Sequence, residues 1–155
     1  MINNDVLRRL RYALNITDNK VIELFALAGH EMGRPELESI FKKEDEAGYA
    51  LCEDPILDSF LEGLVISRRG KREEGEGAKP VTRTRITNND ILKRLRIALQ
   101  FKDDDIIDIL ALAGVTLSKS ELSAFFRREG QPNYRPCGDQ VLRNFLVGLT
   151  AKYRV

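Results

Sequence analysis

The residue types best suited to chemistry are few in this chain. Cys52 and Cys137 share a Y-x-x-C-x-D setting, "YALCED" from Tyr49 and "YRPCGD" from Tyr134. A thiol near a helix start can be held as a thiolate and act as a nucleophile. It would need a base, and the sole histidine, His30, has Val115 at its corresponding place in the second half. Both cysteines therefore read as small buried residues under a tyrosine-pinned loop. Asp103-Asp104-Asp105 has the look of a cation site, but its counterpart is Asp18-Asn19-Lys20. Acids at that place also stabilise a helix start. One histidine and two cysteines do not make a zinc site, and no glycine-rich loop has phosphate-binding spacing. No catalytic residue, cofactor or metal ligand is assigned, and an enzyme is not expected.

Cations offer more. "NNDVLRRLRYAL" from Asn3 returns as "NNDILKRLRIAL" from Asn88. On a helix, Val6, Leu7, Leu10, Ala13 and Leu14 form one apolar stripe, with Arg9 and Arg11 on opposite flanks of it. Flanking arginines lay their stems on apolar surface and seek acids, with Glu23 or Asp108 the expected partners. Nucleic-acid binding needs several converging cations. The candidates for an anion or nucleic-acid patch are Lys119, Arg127, Arg128, Arg135 and Arg143. By count, residues 1–70 carry 9 basic and 13 acidic side chains, net −4, and residues 86–155 carry 11 and 8, net +3. Docking of the acidic half on the basic half is the competing use of that charge.

The elements that must position these groups follow from an internal duplication. Offsetting the chain by 85 residues matches 1–70 with 86–155 without a gap, with 28 identities in 70 pairs. The organisation is a helical repeat 1 (1–70), a charged Gly- and Pro-containing linker (71–85) and a helical repeat 2 (86–155). Each repeat is a small domain of its own or half of a pseudo-symmetric one. A linker of this composition spans roughly 20–25 Å.

Each copy contains four helix patterns and no strand-like alternation. Openers are Asn3-Asn4-Asp5, Asp18, Gly33 with Pro35, and Asp54-Pro55, with Ser118-Lys119-Ser120-Glu121 as a capping box in copy two. The fold class is all-α: two tandem four-helix repeats, with a pseudo-two-fold relation open to them. Gly63, kept as Gly148, interrupts the fourth helix at a cost of about 1 kcal/mol against alanine, which a close helix crossing would explain.

The second helix, with Ile106, Ile107, Ile109, Leu110, Ala111, Leu112 and Ala113, is apolar nearly all round, so it is expected to be central and packed on two sides. Leu24, Leu27, Ile109 and Leu112, with Tyr12 and Ile97 on the outer side of the first helix, are the candidate inter-repeat or partner surface. The second and third helices also resemble a helix-turn-helix, with a connection slightly long for DNA binding.

Net charge of +1 places no global field on the molecule. The longest mostly apolar run, residues 106–115, is too short for a bilayer, and the polar opening lacks a signal-peptide pattern. A cytoplasmic protein with no membrane role is expected. The segments "INNDVLRRLRYALNITDNKVIELFALAG" and "TNNDILKRLRIALQFKDDDIIDILALAG", with F-L-x-G-L late in each copy, resemble the YehS-like family of duplicated bacterial proteins of unknown function. The resemblance covers essentially the whole chain and implies a bacterial setting without implying an activity. The functional expectation is a non-enzymatic binding or adaptor module with a protein partner or self-association. The alternative is a nucleic-acid-binding regulator using the second and third helices and the basic end of repeat 2.

Overall fold

The computed structural model describes residues 1–70 and 85–154. The expected linker 71–85 lies outside them apart from Arg85. Eight helices make up the secondary structure of the described residues: α1 (Asn3–Leu14), α2 (Asp18–Leu27), α3 (Arg34–Phe41), α4 (Asp54–Arg69), α5 (Asn88–Leu99), α6 (Asp103–Leu112), α7 (Lys119–Phe125) and α8 (Asp139–Tyr153). The fold is all-α, four helices to a repeat.

Local chemistry sets the ends. Ser118 accepts from Glu121 N–H while the Glu121 carboxylate accepts from Ser118 N–H, the expected capping box. Thr87 and Asp90 do the same for α5, whereas α1 has Ile2 at that place and no side-chain cap. Thr17, rather than Asp18, caps α2 by accepting from Lys20 N–H. Asp54, an opener by sequence, and its counterpart Asp139 are first helical residues of α4 and α8 rather than their caps. Their carboxylates are committed elsewhere.

The two repeats exchange their first helices. α1 packs along α8 of the other repeat, and α5 packs along α4. Within each repeat, α2 lies on α4 and α6 on α8. The contacts are reciprocal, which is how an isologous, two-fold relation shows itself. Neither repeat closes its core alone: Leu7 and Leu10 of α1, Leu57 and Phe60 of α4, Leu92 and Leu95 of α5, and Phe145 and Leu149 of α8 all join one buried cluster.

The glycines inside α4 and α8 mark the closest crossings. A Cβ at Gly63 would stand 1.8 Å from the Leu24 carbonyl oxygen, and one at Gly148 would stand 2.1 Å from that of Ile109. No side chain larger than hydrogen fits there.

One expectation fails. The second helix of each copy is a flank, not a centre. α2 buries Val21, Leu24 and Phe25 against its own repeat, and α6 buries Ile106, Ile109 and Leu110. Glu23, Ala26, Asp108, Ala111 and Leu112 face outward. Alanines account for much of the apparent all-round apolarity, and they cost little to expose.

Candidate binding groove between α1 and α8

The N-N-D opening does more than start a helix. Asn3 Nδ2 donates to Asp54 Oδ1 at 2.7 Å, and Asn88 Nδ2 donates to Asp139 Oδ1 at 2.7 Å. Asn4, 1% exposed, donates to the Ile40 and Ala50 carbonyls and accepts from Cys52 N–H at 2.8 Å. Asn89 repeats this with Phe125, Arg135 and Cys137. The shared C-x-D is therefore the docking strip for the shared N-N: its cysteine offers a backbone N–H and its aspartate a carboxylate. Each aspartate also reaches across the repeats. Asp54 Oδ2 accepts from Ile86 N–H at 3.0 Å, and Asp139 Oδ2 accepts from the Met1 amino group at 2.7 Å. That amino group, then Asn88, hold the Asp139 carboxyl below its ordinary range.

These strips leave the thiols inert. Burial, with Asp54 adding, pushes the Cys52 thiol up to about 12, and burial with Asp139 pushes Cys137 up to about 11. Each S–H points at the following carbonyl, Glu53 at 3.8 Å and Gly138 at 3.7 Å.

The arginines divide into two kinds. Arg11 pairs with Asp18 at 2.5 Å and lies over the Phe41 ring at 4.7 Å. Arg96 pairs with Asp103 at 3.2 Å and lies over Phe126 at 4.6 Å. Both tie the first helix to the second and third. The expected partners Glu23 and Asp108 are too far along the helix; the first-turn acids are nearer.

Arg9 and Arg94, identical in the sequence, have different surroundings. Arg94 crosses the α4–α5 seam to Asp58 at 2.9 Å and Glu62 at 3.2 Å, with side-chain exposures of 15%, 5% and 16%. At the 85-residue offset, the places of Asp58 and Glu62 are taken by Arg143 and Val147. Arg9 is exposed and has no ion pair among the described residues.

Around Arg9 the α1–α8 seam opens into a cavity of about 690 Å³ lined by Asp5, Arg8, Arg9, Tyr12, Val147, Thr150 and Ala151. Tyr12 is 57% and Val147 42% exposed, large apolar surface left uncovered. Arg8 is occupied by Asp5 at 3.3 Å and the Lys42 carbonyl at 3.1 Å. Arg154 lies over the Tyr12 ring at 4.0 Å and donates to the Tyr12 carbonyl at the end of α1, where the helix dipole favours a cation.

The sequence candidates scatter. Arg127 and Arg128 share a polar cavity of about 560 Å³ with Lys93, Asn89, Gln131 and Tyr134. Lys119 pairs with Asp104 at 3.3 Å, and Arg135 with Glu121 at 4.0 Å. Arg143 bonds Gln140 on its own helix at 3.1 Å. The five do not form one patch, nor, among the described residues, does any of them pair with repeat 1. Cross-repeat ion pairs are made instead by Arg94 and by the Met1 amino group. Of the surface candidates, Leu24 and Ile109 are buried beside the helical glycines, Leu27 and Ile97 are half-buried, and Leu112 is exposed on α6. Tyr12 alone of the six lines the groove. Sequence reasoning does not single out Arg9 and Val147 as site residues: the divergence at 58/143 and 62/147 is visible between the copies, but not that these positions face the shared arginine.

No helix among the described residues is long and apolar enough to cross a membrane, and no group of three His, Cys, Asp or Glu side chains there could hold a metal ion. No solved structure matches the chain. The chain is 41% identical to the uncharacterized protein YehS of Escherichia coli strain K12, over all of this chain and 98% of that protein. A family model described as a protein of unknown function (DUF1456) matches twice, at residues 3–70 and 88–154, in step with the two repeats. The chain belongs to this DUF1456 family.

Proposed function

We propose that the protein is a non-catalytic cytoplasmic binding module that receives a protein partner in the α1–α8 groove. The observation that carries this reading is Arg9, unpaired among the described residues beside exposed Tyr12 and Val147, where its counterpart Arg94 is closed over by two carboxylates. A mostly apolar cleft of this size with a few polar groups at its edge, Arg9 among them, is the usual form of a binding site. Free Cys52 and Cys137 suit a reducing compartment. The thiols are buried and protonated, so no nucleophile is offered.

A photo-crosslinking benzophenone side chain at Tyr12 tests this in living cells, with the same probe at exposed Leu51 as reference. A defined adduct at Tyr12, absent at Leu51 and lost on Val147→Asp, is the expected result. Equal adducts at both places, or none at Tyr12, would sink the reading. An adduct with a second copy of this chain would replace the partner by self-association.

The cavity shared by Lys93, Arg127 and Arg128 favours a second reading, a nucleic-acid-binding regulator acting through the end of α7 and the loop after it. It calls for an affinity that falls steeply with salt and weakens when Arg127→Ala and Arg128→Ala are combined. Absence of binding to mixed duplex and single-stranded pools at low salt would remove it.

A further inference from the structure

The groove carries a description of its occupant, because the same seam is seen closed elsewhere in the molecule. We infer that the partner presents an acidic amphipathic helix whose leucine-like residues and carboxylates recur one helical turn apart. This rests on the groove being a binding site, and it adds the partner's chemistry.

The closed seam is the template. α4 reads "LDSFLE" from Leu57 to Glu62. Leu57 and Leu61 are buried in the core, and their neighbours Asp58 and Glu62 reach Arg94 together. A carboxylate four residues after another sits directly above it on a helix, so one guanidinium can serve both.

At the α1–α8 seam α8 occupies the place of α4 but supplies neither acid. Counting the three equivalent positions, the closed seam carries one positive and two negative charges, and the open one carries Arg9 and Arg143 with neutral Val147. The net difference is three unit charges in favour of an anionic occupant.

The change from Glu62 to Val147 also turns a polar rim position into apolar wall. Tyr12, Val147 and Ala151 form that wall. From Asp5 to Tyr12 the groove follows α1 for seven residues, about 10 Å at 1.5 Å each, the length of two turns. Two turns can lay two apolar residues on the wall of Tyr12, Val147 and Ala151 and aim two acids at Arg9; the core places of Leu57 and Leu61 are already filled here by Leu142 and Leu146. Arg8 and Arg154 keep the margin positive without being available as partners, since Arg8 is paired with Asp5 and Arg154 caps α1. The mode is a helix laid in a groove, with apolar anchors for affinity and charge for register.

A fluorescently labelled helical peptide of about sixteen residues, built on alanine with two Leu-Glu pairs one turn apart, is the probe. Its anisotropy is followed with the full chain at low salt. Binding is expected, weakened about tenfold or more by Gln at both Glu positions and by moving one Glu to the opposite face. Arg9→Glu should abolish binding of the Glu peptide and gain a peptide with Lys in both positions, a reversal that misfolding does not produce. Retained thermal melting of Arg9→Glu is the accompanying check. Equal binding of the Glu and Gln peptides, indifference to Arg9→Glu, or failure of every helix to bind would overturn the inference. So would octanoate competing as well as the helix, which would assign the groove to a small amphiphile. If the Tyr12 adduct forms and requires Val147 while the acidic helix fails, the partner's chemistry is wrong and the binding-module reading stands; if both fail, both fall.

Discussion

Replacing Gly63 by alanine puts two known effects in opposition. In an exposed helix interior the change would stabilise by about 1 kcal/mol. Here the new Cβ would sit 1.8 Å from the Leu24 carbonyl oxygen and 2.6 Å from its carbon. Ordinary carbon–oxygen contact needs about 3.4 Å, so α2 and α4 must part by roughly 1.5 Å. The obstacle is backbone, which has no rotamer to escape into. Separation would also loosen Phe25 against Phe60, whose rings lie 5.7 Å apart. Overpacking costs about 1–3 kcal/mol when side chains can adjust, and this case belongs at or above the top of that range. Set against the propensity gain, the net loss is about 2 kcal/mol. For a chain of this size that lowers Tm by roughly 4–8 °C. Gly148→Ala should behave alike, because its Cβ would stand 2.1 Å from the Ile109 oxygen and 2.8 Å from its Cγ2. Thermal melting and urea titration of both variants give the answer. A rise in Tm or in the urea midpoint for Gly63→Ala would show that the helices do not cross this closely.

Three further outcomes are expected. Asn4→Ala removes the partner of the Cys52 N–H and of the Ile40 and Ala50 carbonyls at a buried site, a loss of about 3 kcal/mol in urea melts. Asn89→Ala should cost less, because half-buried Asn89 can be replaced by water, so equal losses would contradict the burial difference. Arg94→Ala removes the guanidinium that Asp58 and Glu62 share at the seam and should cost about 3 kcal/mol. Arg9→Ala should stay within about 0.5 kcal/mol, and similar values for the two would remove the distinction between the seams. The cysteines should react with iodoacetamide at pH 8 only as fast as the fold opens. Their folded pKa values, about 12 and 11, lie above the unfolded value of 9.0. The associated stability is therefore full below pH 9 and is lost as pH rises through the folded values. Urea midpoints that stay level up to pH 11 would speak against buried thiols.

Helix boundaries were legible because they rest on local chemistry. The apolar stripe of α1, the Asp54-Pro55 opening of α4 and the Ser118 box all follow from spacing along the chain. Gly63 and Gly148 were legible for a different reason: a helix-weakening residue kept in both copies needs a tertiary cause. What stayed hidden was any fact that depends on partner choice across the duplication. Nothing local distinguishes α1 packing on its own repeat from α1 packing on α8. The double duty of Asn3 and Asn4 escaped for the same reason, since asparagines at a helix start already have an adequate local explanation. The flanking position of α2 and α6 was obscured because alanine counts as apolar in a pattern yet costs little to expose. The basic residues of repeat 2 looked like a set in the sequence, and the structure separates them because Asp104 and Glu121 neutralise two of them locally.

Reciprocal exchange of the first helix within one chain is the geometry of a two-fold dimer whose subunits have been joined. In a true homodimer the two seams are the same by symmetry, so replacing Asp58 by arginine would unpair Arg94 in both at once. Joining the copies removes that constraint. One seam can keep its buried ion pairs and hold the halves together while the other changes alone. The residues identical between the copies include those that each half needs in either setting: Asn3 and Asn4 for the loop strip, Arg11 with Asp18 for the second helix, Gly63 for the crossing. The pairs 58/143 and 62/147 are free of that requirement, and they are where charge and apolar character depart most sharply at the seams. An opening placed there weakens one seam and leaves the clasp of Asp54 on Ile86 and of Asp139 on Met1 in place. The fold can therefore expose Arg9, Tyr12 and Val147 to a partner without giving up the contacts that keep the repeats interlocked.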